Sequence, residues 1–286
     1  MALATYAGRM PELPEVERGR RMATTVAKGR TISRVRCADD RIVIEDAAPR
    51  TLARKLTGRR VIDVHRHGKQ LWFELDQPPM PLFHYGMTGA FHVPGGEHLE
   101  LESGIDPGAS WPPRFWKIQL EFEDGGKLAM TSARRLGRIR LRNDPEHEPP
   151  ISMLGFDPLL NMPSPKTFAA LLAGRRVTLK GLLLNQSFAA GVGNWIADEV
   201  LYQARLDPRR RVDSLTTDEI HAMHRCLRRI IRTSVGANAD KGRLPTSWLF
   251  HTRWGRNIEA TTSDGERIEH LTLAGRTTAW VPTRQC

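Results

Sequence analysis

The stretch Met10–Glu17 (MPELPEVE) contains the residues best suited to covalent chemistry. In a chain that begins at Pro11, the free secondary amine is a nucleophile that attacks an aldehyde-like carbon, as lysine does in Schiff-base enzymes. The resulting iminium stays positively charged without a proton and therefore draws electrons toward itself. Glu12 adjoins the amine and can move the protons that this reaction needs. The alternative is a plain helix start, where proline and carboxylates suit the positive end of the helix dipole.

Residues 1–9 precede this stretch, and they bear on the chemistry. A proline nitrogen inside a peptide bond has no nucleophilic lone pair, because that pair is delocalised into the carbonyl. We therefore expect that segment 1–10 is absent from the active form and that this form begins at Pro11. The leading residues are too short and too weakly apolar for a secretory signal.

The composition indicates a folded protein with a polyanionic partner. The 286 residues include 43 Lys and Arg against 32 Asp and Glu, which gives a net charge of +11. Such a basic chain usually binds nucleic acid, although charge alone also fits a generic basic protein. Three scattered cysteines without a C-x-x-C spacing support neither a disulfide framework nor a cysteine zinc site, and they favour a reducing compartment. No apolar run approaches the length of a membrane span.

The hydrophobic pattern predicts an α+β protein with two domains. One amphipathic helix over 13–28 precedes many short strands, typical of a β-sandwich or barrel. A proline-rich linker follows, and then the period becomes helical before it returns to strands near the end. The expected domains are a catalytic β-sandwich domain (11–145), a linker (146–165), a helical domain (166–245) and a β-hairpin (246–286). The predicted strands are 31–36, 41–45, 60–66, 71–75, 81–84, 91–93, 115–122, 127–131 and 136–141. The predicted helices are 51–56, 167–173, 178–185, 193–205 and 216–235, the last with Thr216 as its cap and Glu219 three residues on.

Several other stretches suit phosphate or base contacts. Gly191–Asn194 (GVGN) opens a helix, where backbone amides favour an anion, and Lys180 adds charge nearby. Lys69 lies at the start of an apolar strand, where it is either a substrate-facing cation or a solvated lysine. Arg276 falls in a predicted turn, where it either grips a phosphate or is solvated.

Two loops contain residues that can fill a gap in a base stack. Met87 lies between two glycines at a predicted hairpin tip, and the alternative is that it fills its own core. Arg134, Arg135 and Leu136 form a second loop whose alternative role is a charged connection between strands.

These motifs, in this order, resemble the formamidopyrimidine-DNA glycosylase and endonuclease VIII family. MPELPEVE is highly specific, whereas the glycine turn and arginine turn gain weight in series. Gly193–Arg205 (GNWIADEVLYQAR) and Gly275–Pro282 (GRTTAWVP) are similar to the plant and fungal branch. The resemblance implies a β-sandwich domain, a helix-two-turn-helix domain and a β-hairpin finger. It also implies a bifunctional DNA glycosylase and AP lyase of base excision repair.

Carried over by position, the family's site falls on residues of this chain. Pro11 would attack C1′ of the damaged nucleotide and Glu12 would act as general acid/base, with eliminations of both phosphates following. Lys69 and Arg276 would assist at the phosphates. Flipping the damaged nucleotide out of the duplex costs free energy and leaves a gap in the base stack. One set of residues, the wedge, would fill that gap, and a second set would bind phosphates. The wedge residues are Met87, Arg134 and Leu136, the phosphate-gripping residues are Lys180, Asn194 and Arg276, and Arg135 is a further expected DNA contact. Glu199 matches a family carboxylate near the active site, with a helix salt bridge as its alternative.

The chain departs from bacterial relatives in ways that bear on metal and substrate. Four zinc-binding cysteines are missing, so we expect no metal or cofactor and a zincless finger that rests on packing, for example of Trp254 and Trp280. Segment 236–245 is short where bacterial relatives have a long loop that covers an everted 8-oxoguanine. We therefore expect Fapy purines and hydantoins to be better substrates than 8-oxoguanine. Leu136, where an aromatic residue is usual, suggests a weaker wedge.

The expected partner is damaged double-stranded DNA, and the protein is expected to be a nuclear monomer without a membrane. One rival hypothesis is a non-catalytic protein that binds damaged DNA or abasic sites. Another, a transcription factor, lacks an obvious base-reading helix.

Overall fold

The computed structural model describes residues 10–96, 110–254 and 260–286, and the chain divides into two units within it. The first unit contains Pro11 and residues 15–153. The second contains residues 12–14 and 154–286, so that Glu12 belongs with the C-terminal half of the chain.

The described residues of the first unit form a long α-helix, a short α-helix and eight strands in two antiparallel sheets. One sheet has the order β1-β6-β7-β5 and the other β2-β3-β4-β8. Both sheets contribute side chains to one core, for example Ile118 and Phe122 from the first and Phe73 and Phe83 from the second. The elements are α1 (Leu13–Ala27), β1 (Ile32–Cys37), α2 (Pro49–Leu56), β2 (Val61–His67), β3 (Gln70–Leu75), β4 (Met80–His84), β5 (Ala90–His92), β6 (Trp116–Phe122), β7 (Lys127–Thr131) and β8 (Arg138–Arg142).

The strand predicted at 41–45 is wrong. Residues 41–43 form a turn in which Asp40 Oδ1 accepts hydrogen bonds from the amides of Ile42 and Val43, at 3.2 and 3.3 Å, and Ile44 makes only an isolated bridge to Ile139 of β8. The Asp40 carbonyl accepts from Val43 and Ile44. Because the side chain and carbonyl of one aspartate satisfy these amides locally, little is left for a strand ladder.

The second unit packs four helices around an apolar core and ends in a two-stranded hairpin. Three of the helices begin at hydroxyl caps, and Thr216 with Glu219 forms a full capping box, as the sequence predicted. The elements are α3 (Pro165–Leu172), α4 (Leu179–Leu184), α5 (Asn194–Ala204), α6 (Thr217–Gly236), β9 (Glu269–Leu273) and β10 (Arg276–Trp280).

Arg276 directly follows the two turn residues, whereas the sequence predicted that it lies in the turn. Ala274 and Gly275 have φ of 48° and 70°, so they make the two-residue turn, and Arg276 begins β10 opposite Leu273. Two residues with positive φ match the twist of a hairpin. No helix in the described parts of the chain is long and apolar enough to cross a membrane.

Candidate active site

Glu12 caps the N-terminus of α5. Its Oε2 accepts hydrogen bonds from the amides of Gly193 and Ile196, at 2.8 and 3.3 Å, and its Oε1 accepts from Trp195, at 2.9 Å. The carboxylate is buried, with 2% exposure, so the amides replace the water that would otherwise solvate it. Charge-assisted bonds to a helix N-terminus stabilise its ionised form.

The second glycine of GVGN is needed for this contact. A Cβ on Gly193 would lie 2.3 Å from the Glu12 carboxyl carbon, closer than any real contact. The anion at this helix start is therefore Glu12, and the prediction that these amides face a DNA phosphate is wrong. Sequence reasoning missed the pairing because the two partners are far apart in the chain.

Pro11 is buried and directly precedes Glu12 in the chain. The Leu13 amide donates to the Gly191 carbonyl at 3.1 Å, which fixes the segment after the proline to the same glycine turn. Two successive attachments, through Leu13 and Glu12, therefore hold the backbone that carries Pro11.

Lys69 lies in the two-residue turn between β2 and β3, in the first unit. Buried Arg66 supports this turn: its Nε donates to Glu17 of α1 at 3.0 Å, and its Nη1 donates to the Gly68 carbonyl at 3.0 Å. Burial raises the pKa of Glu17, but hydrogen bonds from Arg20 and Arg66 outweigh it and leave that pKa below the ordinary value. The Glu17–Arg66 pair ties α1 to the lysine turn, a role that sequence analysis did not assign.

The Lys69 turn also faces His84 at the end of β4. Burial first, and then the charges of Lys69, Arg140 and Arg138, lower the pKa of His84 to about 4. The Gly86 amide donates to His84 Nδ1 at 3.2 Å, which agrees with a neutral ring. The imidazole is therefore uncharged at neutral pH and does not compete with Lys69 for an anion.

The two predicted wedge loops contact one another within the first unit. The Arg134 amide donates to Thr88 Oγ1 at 3.3 Å. A Cβ on Gly86 would lie 2.3 Å from the Leu136 carbonyl oxygen, so only glycine permits this approach. Leu136 is 41% exposed and Met87 is partly exposed. The structure thus brings the two loops into contact and leaves Leu136 exposed and Met87 partly exposed.

Arg135 has a structural partner. Its guanidinium binds both oxygens of Asp40, each at 3.0 Å, and Lys117 binds the same carboxylate at 2.8 Å. Burial raises the pKa of Asp40, but these two cations outweigh it and hold the pKa far below its usual range. Arg135 thus fastens the loop that presents Arg134 and Leu136, while its DNA contact stays a prediction.

Lys180 does not lie on the surface, and its predicted phosphate contact is wrong for this conformation. Its side chain is fully buried; its ammonium binds Asp198 and donates to the Asn194 carbonyl at 3.0 Å. Asp198 also binds Arg253 and accepts from the Ala279 amide at 3.1 Å. Asp198 was missed, because a lone helix aspartate gives no signal for a buried ion cluster.

Asn194 links the start of α5 to the hairpin that carries Arg276. Its Nδ2 donates to the Thr277 carbonyl at 2.8 Å, next to the exposed Arg276. The side-chain amide of Asn194 thus fixes the backbone of the finger. Direct phosphate contacts by Asn194 and Arg276 stay predictions.

Glu199 is fully buried on α5 and makes no helix salt bridge. Gln203 Nε2 donates to its Oε1 at 2.6 Å and the Phe250 amide donates to its Oε2 at 2.8 Å. Burial raises the pKa of this carboxyl to about 7, although these donors oppose the shift. The side chain contacts the segment before the finger, and its proximity to a substrate stays a prediction.

The finger rests on more than two tryptophans. Trp280 is covered by Arg209, whose guanidinium carbon is 4.3 Å from the ring centroid, while Trp254 packs against Phe250. The hairpin also shares a small core with Tyr202 of α5. Together with Asp198, these contacts hold the hairpin. Within the described residues, no three His, Cys, Asp or Glu side chains are arranged to bind a metal ion.

Comparison with known proteins identifies the two halves of the chain. Residues 10–139 match the formamidopyrimidine-DNA glycosylase N-terminal domain, and residues 154–245 match the H2TH domain of the same glycosylase. A formamidopyrimidine-DNA glycosylase of Arabidopsis thaliana is 40% identical over 277 residues, covering 96% of this chain and 71% of that protein. A formamidopyrimidine-DNA glycosylase of Heliobacterium modesticaldum is 36% identical over 280 residues, covering 97% of this chain and 92% of that one.

Solved structures show the same fold. The Lactococcus lactis formamidopyrimidine-DNA glycosylase, non-covalently bound to DNA containing an AP site, matches with a TM-score of 0.79 and 24% identity. The match covers 96% of this chain and 99% of that chain. Two domain matches in the expected order, similar relatives over nearly the whole sequence and a shared fold lead to one conclusion. The chain belongs to the formamidopyrimidine-DNA glycosylase family.

Proposed function

We propose that this DNA glycosylase and AP lyase of base excision repair works through a Schiff base formed by the amine of Pro11. The observation that carries the proposal is the attachment of the Pro11–Glu12 segment to the glycine turn of α5. In this proposal the attachment holds the backbone of the nucleophile and of the carboxylate that follows it in the chain. Fixing both groups before the substrate arrives removes much of the entropic cost of the reaction.

The first step is substitution at C1′ of the damaged nucleotide. The Pro11 nitrogen forms a bond to C1′ as the C1′–base bond breaks, and the base leaves after protonation. Ring opening then gives an iminium, and Glu12 supplies or accepts the proton for that opening. General acid/base assistance of this kind contributes typically about 10²- to 10⁴-fold.

The second step is strand cleavage. The iminium withdraws electrons, so the C2′ proton becomes acidic and the 3′ phosphate leaves by β-elimination. Elimination of the 5′ phosphate follows, and water releases Pro11 from the remaining sugar fragment. In this proposal Lys69, which lies in the turn that Arg66 supports, neutralises a departing phosphate.

DNA is gripped in this proposal by surface residues of each unit. Met87, Arg134 and Leu136 fill the space left by the everted nucleotide, since their loops contact each other and expose apolar side chains. Arg276 contacts a phosphate from the first position of β10. Fapy purines and hydantoins are the proposed preferred lesions, with 8-oxoguanine a weaker substrate, because segment 236–245 is short.

The catalytic form in this proposal begins at Pro11 and is a nuclear monomer that holds no metal. The start at Pro11 is supported by the family domain match, which begins at residue 10. The nuclear placement is supported by the DNA substrate and by the plant relative, which is 40% identical. Imaging of the tagged chain tests the nuclear placement. Light scattering of purified protein tests the monomeric state, and elemental analysis tests the metal content.

Nicking of a duplex with one abasic site tests the catalytic proposal. We expect protein beginning at Pro11 to nick it, protein retaining residues 1–9 to bind without nicking, and Glu12→Gln to lose at least a hundredfold in rate. The matched control is Glu146→Gln, an exposed carboxylate that should leave the rate unchanged. Equal nicking with and without residues 1–9 would contradict the proposal, and binding without nicking by every form would favour a non-catalytic binding protein.

A further inference from the structure

The outer surface of α6 carries four exposed arginines, Arg225, Arg228, Arg229 and Arg232, here called the α6 arginine face. At about 100° per residue, all four fall within an arc of about 100°. The opposite side of the helix is buried in the apolar core. It includes Met223, Leu227, Ile230 and Ile231.

These arginines differ from three neighbouring arginines of the same unit in having no carboxylate at ion-pair distance within the described residues. Arg209, Arg210 and Arg211 are each paired with an Asp or Glu side chain. Within the described ranges, no carboxylate lies at ion-pair distance from any arginine of the α6 arginine face, and α6 contains no acidic residue after Glu219. Arg229 donates to the neutral Gln203 Oε1 at 2.7 Å.

Helix stability does not explain this arrangement. Like charges three and four residues apart repel and weaken a helix. None of the arginines lies in the last turn, where a cation would complement the helix dipole. The helix therefore keeps an unfavourable concentration of positive charge on its solvent side.

The chemistry of the face fits phosphate groups. Guanidinium groups bind phosphate oxygens in a bidentate manner. The other positions on the same arc hold Asp218, His221 and Gly236, so the face lacks the aromatic and methionine anchors that mark the centre of a protein–protein interface. A polyanion of regularly spaced phosphates matches it better than an acidic peptide does.

We propose that the α6 arginine face binds the phosphates of a DNA segment outside the lesion site. Its hydrogen bond to α5, from Arg229 to Gln203, lies near the end of that helix, nine residues or about 13 Å along the axis from Asn194 at its start. The proposal rests on the proposed function only in that DNA is the partner. Its role is to raise affinity for undamaged duplex, so that the protein stays on DNA while it searches.

The test is the salt dependence of binding to a labelled, undamaged duplex of about three helical turns, followed by anisotropy. We compare wild type with Arg225→Gln/Arg228→Gln/Arg232→Gln. The control is Lys28→Gln/Arg140→Gln/Arg211→Gln, which removes the same charge from three carboxylate-paired cations. Each lost phosphate contact lowers the slope of log Kd against log salt by about 0.9. We therefore expect this slope to be lower than in wild type by about 2 to 3 in the α6 variant and by less than about 1 in the control.

Nicking of a short abasic duplex is measured in parallel and should be unchanged in the α6 variant. Equal salt slopes in wild type, α6 variant and control would overturn the inference. So would a variant that keeps the DNA slope but loses binding to polyglutamate, which would assign the face to an acidic protein. Failure of otherwise wild-type protein that begins at Pro11 to nick would refute the proposed function while leaving the binding result to decide this surface.

Discussion

Replacing Glu12 by Gln should loosen the first turn of α5. The carboxylate accepts three backbone hydrogen bonds there, from Gly193, Trp195 and Ile196. A neutral amide has one acceptor oxygen, so at least one of these donors would face an NH₂ group. The bonds that remain would also lose their charge assistance, worth about 1 kcal/mol each.

The expected cost follows from these contacts. Weaker bonds, one unpaired amide and the loss of a negative charge at a helix N-terminus together give about 3 kcal/mol. Expressed as local opening, this is roughly a hundredfold faster hydrogen exchange, since 1.4 kcal/mol is a factor of ten. Exchange measured residue by residue should accelerate at amides 193, 195 and 196.

The control and the refutation are equally local. Glu146→Gln removes an exposed carboxylate and should leave exchange at these amides unchanged. If Glu12→Gln exchanges them at the wild-type rate, the carboxylate does not hold this helix start. The attachment of the nucleophile segment would then need another explanation.

The other predictions concern buried and surface charges. The pKa of Glu199 is raised from 4.5 to about 7, so its stabilising contribution is complete below pH 4.5 and is lost as pH rises through 7. Between pH 4.5 and 7 the unfolding free energy of wild type should therefore fall by up to about 3 kcal/mol relative to that of Glu199→Gln, as measured by urea unfolding. The same pH dependence in both proteins would contradict this prediction. Asp198→Asn leaves Lys180 and Arg253 buried without a counter-charge and should cost about 3–5 kcal/mol, with partial recovery in Lys180→Met/Asp198→Asn. Arg228→Gln removes two like-charge neighbours and should raise stability by a few tenths to about 1 kcal/mol at low salt, an effect that high salt should abolish.

Local signals allowed the sequence to predict much of the architecture. Capping residues predicted the start of α6, and alternating apolar residues predicted most strands of the first unit within two residues. The strand prediction at 41–45 was wrong. The β-branched residues there suit a strand, but Asp40 satisfies their amides locally and thereby favours a turn.

The site was predictable in its residues but less so in its contacts. The resemblance placed Pro11, Glu12 and the GVGN turn in one family pattern, yet it assigned the turn to a phosphate. The structure gives that position to Glu12 instead, a partner about 180 residues away that no local pattern reveals. Lys180 failed for the same reason, because its burial depends on Asp198 and on the hairpin.

The most direct measurement is borohydride trapping on a duplex with one abasic site, followed by intact mass of the adduct. The proposed mechanism predicts one covalent adduct per chain, formed on protein whose first residue is Pro11 and lost when that nitrogen is acetylated. An adduct of the same yield on a chain that still carries residues 1–10 would contradict it, because the Pro11 nitrogen is then an amide.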